Sequence, residues 1–199
     1  MTPFSITKLI FLFVAITLLP AVTIAQCKTE PRPAEALSRV SGMTYNIEQP
    51  LHISYATEIA GLNEMSSGIK ADFSFVKADN DGFFFLRTTA RNFTEPIDYI
   101  KGDTIRFYLA GGKTIVARCY SDYMGLEEEN IAFYRLSKSN LDDLATNSLD
   151  SIILNNHLHL LPGSGPSKKP DQTMVIRKFS GKNIKRVMEN AGCLRGEMK

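Results

Sequence analysis

The sequence predicts one α+β domain: a curved antiparallel β-sheet or small β-sandwich, with a short helix near 138–145 and a C-terminal helix packed on the sheet. Three observations carry that expectation. The stretch Gly102–Tyr123, GDTIRFYLAGGKTIVARCYSDY, places two alternating runs around a glycine pair. A second run, turn and run spans Ile69–Arg91. Near the C-terminus, Ile184, Val187, Met188 and Ala191 recur at helical spacing between Ser180 and Gly192, residues suited to the two ends of a helix.

The register of the central hairpin follows from which faces can meet. Ile105, Phe107 and Leu109 alternate with Thr104, Arg106 and Tyr108; Ile115, Ala117 and Cys119 alternate with Val116, Arg118 and Tyr120. Gly111 and Gly112 supply the positive φ of a tight reversal. A two-residue loop would set Ile105 opposite Arg118, and a loop at Gly111–Lys113 would set Arg106 opposite Arg118, a repelling pair. A loop at Ala110–Gly112 sets Phe107 opposite Ile115 and Ile105 opposite Ala117, one unbroken apolar face, and this is the predicted register. The other face then carries Arg106, Tyr108, Val116, Arg118 and Tyr120. Planar cations beside phenols suit an anionic or sugar-like ligand, which makes Arg106, Tyr108, Arg118 and Tyr120 the candidate binding residues. The same composition is ordinary for the solvated face of an antiparallel sheet.

Before these strands, the N-terminus reads as a signal peptide over residues 1–25. Lys8 precedes the apolar run Leu9–Leu19, then Pro20, and Thr23 and Ala25 place the cleavage before Gln26. That run is eleven residues long, short of the ~20 that span a bilayer. No membrane span is therefore expected after cleavage. Gln26 before Cys27 departs from the small residue that lipidation prefers. Removing residues 1–25 leaves 22 basic against 21 acidic side chains, a net charge of +1. Such a balance lacks the electrostatic footprint of a nucleic-acid binder. Three cysteines in an exported chain leave one over. Cys27 and Cys193 sit near the two ends of the mature chain and form the candidate disulfide, with Cys119 buried on the hairpin; three free thiols are the alternative.

Residues 26–41 read as a linker with one helical turn after Pro33, and 42–194 as the domain. Tyr45–Ile47 and Leu51–Ala56 alternate around Pro50 as two short strands. In the Ile69–Arg91 hairpin, Asp81-Gly82 is the turn dipeptide; Asp79, Asn80 and Asp81 lack the register of a calcium loop. Asn92-Phe93-Thr94 is a glycosylation sequon on paper. Glu127-Glu128-Glu129 marks a solvated loop tip, and Ile131–Leu136 is another strand. Ser137 or Ser139 caps a helix through Ala145, ended by Asn147. Leu149–Leu161 is a long apolar strand, 162–171 a low-complexity loop, and Met174–Lys178 a last strand. The final helix spans Gly181–Ala191, closed by Gly192, and the tail 195–199 frays.

The search for chemistry yields little. His157 and His159 share one strand face, and with His52 they exhaust the histidines; nothing nearby in sequence completes a metal set, so no metal or other cofactor is expected. Nucleophile elbows, phosphate-cradling loops and zinc-protease helices are absent from the sequence.

The chain resembles small exported proteins of Bacteroidetes-type Gram-negative bacteria. The resemblance rests on the cleavage before Gln26, the Gly-Asp-x-Ile and Gly-Gly-Lys-Thr-Ile hairpin, the stretch Tyr134–Leu154, and the final strand and helix ending in Cys193-Leu194. It implies export to the periplasm or beyond and a compact α+β domain, and it brings no known activity. In such a host Asp103-Thr104-Ile105 and Asp150-Ser151-Ile152 resemble O-glycosylation triplets. The function expected first is a non-catalytic binding or interaction module of the cell envelope, its partner an envelope protein or a small anionic or glycan ligand. The alternatives are an extracytoplasmic hydrolase with its site near His157 and His159, and a purely structural envelope protein.

Overall fold

Alternation in the sequence becomes strand wherever the computed structural model describes the chain, at residues 27–41, 51–64, 69–90, 99, 101–120, 129–156, 172–177 and 179–198. The strands are β1 (Ile53–Ala56), β2 (Ala60–Glu64), β3 (Ile69–Ala78), β4 (Asp81–Ala90), β5 (Thr104–Leu109), β6 (Thr114–Cys119), β7 (Glu129–Leu136), β8 (Leu149–Asn156) and β9 (Gln172–Arg177). They join antiparallel neighbours in the order β1-β3-β4-β7-β6-β5-β8-β9, with β2 pairing β3 beside β1. Three helices complete the fold: α1 (Pro33–Ser41), α2 (Lys138–Thr146) and α3 (Gly181–Glu197).

The central hairpin takes the predicted register. Phe107 faces Ile115, Ile105 faces Ala117, and Arg106 faces Val116. Leu109 N donates to Lys113 O at 2.9 Å across the Ala110–Gly112 loop, where Gly111 and Gly112 have φ of 84° and 83°. Ile105, Phe107, Leu109, Ile115, Ala117 and Cys119 are buried to 3 % exposure or less. The earlier hairpin differs from expectation in its turn. Asp79 and Asn80 form the two-residue reversal, Asp79 at φ 52°, and Ala78 already faces Asp81. Gly82 lies inside β4, where a Cβ would stand 2.6 Å from Met198 Sδ, 3.3 Å from Leu194 and 3.4 Å from Leu141. Its small size serves close packing against the helices rather than the turn.

The sheet curls on itself. Phe84 on β4 and Phe107 on β5 are separated by two strands, so a flat sheet would hold them about 14 Å apart. Their ring centroids are 5.0 Å apart, edge to face. Phe73 and Phe75 pack on Phe84 at 5.8 and 5.4 Å, extending the cluster along the inner face. Of the two forms the sequence allowed, the curled single sheet is the one formed. Among the described residues β6 and β7 pair at Arg118–Arg135 and Cys119–Tyr134, and Tyr120 N donates on to Phe133 O at 2.8 Å.

The outer face is covered on one half alone. On β3, β4 and β7 the outward residues Val76, Phe83, Phe85, Ile131 and Phe133 are all buried to 1 % or less; α1, whose Leu37 is buried, lies against β1 and β7. Residues 27–41, expected as a linker, thus belong to the packed structure. Thr29 bridges Thr57, Glu30 N donates to Ala56 O, and Glu58 N donates to Lys28 O. Cys27 is bonded to Cys193 on α3 with Cα atoms 5.8 Å apart, and Cys119 is buried and outside any disulfide.

Helix α2 starts at Ser137, whose hydroxyl accepts from Asn140 N while Asn140 Oδ1 accepts from Ser137 N, a reciprocal cap. Helix α3 runs past the expected end at Ala191 to Glu197, so the tail does not fray there. The buried stripe Val187, Ala191, Leu194, Met198 continues at helical spacing through Gly192, and burial against the sheet holds the last turn. Ile184 and Met188, expected within the stripe, are half-buried beside Ala145. Lys77 Nζ donates to Glu197 O, Asn183 Nδ2 to Leu62 O, and Arg195 Nε to Asp142 Oδ1. Tyr55 lies by the same helix end; burial, then the charge of Glu197, raises its phenol above the usual range. The signal peptide, the strand at Tyr45–Ile47, the sequon, Glu127, Glu128, His157, His159 and the 162–171 loop lie outside the described residues.

Two measurements test this packing. The disulfide closes a span of 166 residues, so Cys193→Ala or reduction should cost about 2–4 kcal/mol in urea unfolding. Cys119 should stay unalkylated until the chain unfolds. Gly82→Ala should cost about 1–3 kcal/mol by overpacking, and a four-protein comparison should show a smaller cost in a Met198→Ala background.

Candidate binding face

The uncovered half of the outer face is the back of the central hairpin and its neighbour β8. Cross-strand pairing sorts it into rows. Arg135, Arg118, Thr104 and Asn155 stand side by side on β7, β6, β5 and β8. Next come Val116, Arg106 and Ile153, then Thr114, Tyr108 and Ser151. Val116 is 51 % exposed, an unusual position for a large aliphatic side chain, and Arg106 and Arg118 are exposed with it. Asn155 Nδ2 donates to Thr104 Oγ1 at 3.2 Å, which orients both groups within the first row.

The charges are unevenly matched. Arg135 pairs with Asp81 at 2.9 Å and lays its guanidinium over Tyr120 and Phe83, 5.2 and 5.9 Å from the ring centroids. Tyr120 meets Phe83 edge to face at 5.4 Å. Among the described residues, neither Arg106 nor Arg118 has a carboxylate within ion-pairing distance. Arg118 and Arg135 are therefore like charges in directly paired positions, with Asp81 bound to one of them. Such a pairing is destabilising in a sheet unless something anionic joins it.

The four residues singled out from the sequence do not make one cluster. Arg106 and Tyr108 are two apart on β5, while Tyr120 follows the end of β6 and is half-buried under Arg135. Thr114, the partner of Tyr108, is six residues from Tyr120, about 20 Å along an extended strand. Tyr108 and Tyr120 thus belong to opposite ends of the face. Arg135 was not among the candidates and is central to the arrangement. The alternation of Ile131, Phe133 and Arg135 marks it as outward, but the pairing of β7 with β6 has no local signal. Thr104 and Ser151 of the two glycosylation-like triplets lie within strands paired on both sides, and Asp103 is buried.

Elsewhere the chemistry is sparse. His52 is exposed ahead of β1. Among the described residues no three His, Cys, Asp or Glu side chains gather to hold a metal. A cleft of about 190 Å³ beside the disulfide is lined by Lys28, Glu58, Arg186 and Glu189, mixed charges with no nucleophile and base among them. Among the described residues no helix is long and apolar enough to cross a membrane. Comparison of the chain with protein-family models, curated proteins and solved structures returns no match.

The like-charge pair makes a stability prediction. Arg118→Thr should raise stability by about 0.2–1 kcal/mol at low salt, and the gain should shrink at high salt. Thermal unfolding at two ionic strengths measures both.

Proposed function

We propose that this protein is an exported, non-catalytic binding module of the cell envelope, which takes an anionic or glycan ligand on the outer face of β5 and β6. One observation carries the reading: Arg106 and Arg118 stand exposed, beside exposed Val116 and, among the described residues, without a carboxylate partner, on the half of the outer face that is not buried. The guanidinium's planar fork matches a carboxylate or sulfate and loses less entropy per hydrogen bond than a lysine would. An open outer face of this kind favours adhesion over turnover, since catalysis calls for convergent polar groups in an enclosed site. The leader-like residues 1–25 and a disulfide joining Cys27 to Cys193 support the exported part of the reading.

Arg106→Ala with Arg118→Ala should leave the melting curve near that of the parent and weaken capture on an anionic glycan array by about tenfold or more. Unchanged capture by the double variant overturns the assignment of this face. Cell fractionation with N-terminal sequencing should find the mature chain outside the cytoplasm, starting at Gln26.

A further inference from the structure

We infer that the ligand is an acidic polysaccharide lying across the strands, along the row Arg135, Arg118, Thr104, Asn155, with a carboxylate or sulfate seated between the two arginines. The inference rests on the reading of β5–β6 as a binding face and adds the chemistry and direction of what binds.

Four features of the row select this class. Arg118 and Arg135 occupy facing positions on β6 and β7, and Asp81 answers one of the two charges, so the pair has room for one more anionic group. The positions beyond them are neutral: Thr104 and Asn155, already oriented by their mutual hydrogen bond, offer hydroxyl and amide groups of the kind that pair with sugar hydroxyls. A nucleic acid would call for cations repeated along the track, whereas here the charge is confined to one end. The adjoining row sets Val116 and Ile153 on either side of Arg106, an apolar strip against which the C–H face of a sugar ring can lie.

Dimensions point to a polymer rather than a single sugar. Four neighbouring strands span about 14 Å between the outer two, more than one ring occupies. Beyond Asn155 the row continues to Thr173 on β9, while beyond Arg135 it meets the buried Phe83 on β4. A chain can run on past the Asn155 end with its anionic group held at the arginine end. A small anion would use the arginine pair and leave Thr104 and Asn155 idle.

Calorimetric titration of the full mature chain with dextran sulfate, polygalacturonate, neutral dextran, sodium sulfate and a single-stranded oligonucleotide tests this. The expected result is binding of one or both acidic polymers, none of dextran, and millimolar or no binding of free sulfate. Arg118→Ala and Arg135→Gln should each weaken polymer binding about tenfold or more; the glutamine keeps a stem over Phe83 and Tyr120, and a melting curve verifies its fold. Asn155→Ala should weaken polymer binding while leaving any sulfate binding unchanged. Equal binding of dextran, tighter binding of the oligonucleotide, or indifference to Arg135→Gln and Asn155→Ala would each overturn the inference. If Arg106→Ala with Arg118→Ala abolishes binding of another anion while the acidic polymers fail to bind, the face stands and the polysaccharide falls. If the parent binds no anion at all, both fall.

Discussion

The contact between Phe84 and Phe107 is the constraint from which the rest of this structure follows. Two aromatic rings on strands three steps apart in the sheet can touch at 5.0 Å because the sheet has rolled over. Rolling buries the inner face of both halves at once, so Phe73, Phe75, Leu86, Ile105, Ile115, Ile152 and Leu154 form one core without a second sheet. Edge-to-face geometry contributes beyond the area removed from water, since the positive ring edge of one meets the negative face of the other.

A rolled open sheet also has ends and an open side, which the helices and the disulfide address. Helices α2 and α3 pack on each other and on the early strands, with Gly82 letting Leu141, Leu194 and Met198 approach the β4 backbone. The Cys27–Cys193 bond then ties the N-terminal segment to α3 across most of the chain, while Thr29 and Glu30 attach that segment to the edge of β1. In this way 27–41 joins the packed body, with α1 against β1 and β7. The outward residues of β3, β4 and β7 are buried, whereas Arg106, Val116 and Arg118 on the hairpin's back are exposed.

The exposed half keeps an arrangement that stability alone disfavours. Two arginines face each other across β6 and β7, one anchored by Asp81 and by two rings, the other, among the described residues, without a carboxylate partner. A threonine at position 118 would serve a solvated strand as well and carry no repulsion. Sites where local preference and the observed residue disagree are where function is expected to reside.

How much was legible depended on how local the cause was. The hairpin register followed from residues 103–120 alone, because face matching and a glycine-bearing loop admit one coherent pairing. Helix starts were equally local, at Ser180 and at one of Ser137 and Ser139, of which Ser137 is the cap. The end of α3 was not, since Gly192 closes a helix in isolation, yet burial of Leu194 and Met198 carries this one onward. Gly82 misled in the same way, a turn residue by habit and a packing residue by circumstance. The candidate face was half visible: Arg106 and Arg118 came from alternation within one hairpin, whereas Arg135 joined them through pairing with a strand ten or more residues away. By itself, then, the sequence determined most of the strands, β2 (Ala60–Glu64) excepted, together with their faces and the class of the fold, because these depend on neighbours along the chain. Which strands lie side by side, which half of the outer face is covered, and which cations stand together were decided by the closure of the sheet, because burial is a property of the whole chain and not of any segment.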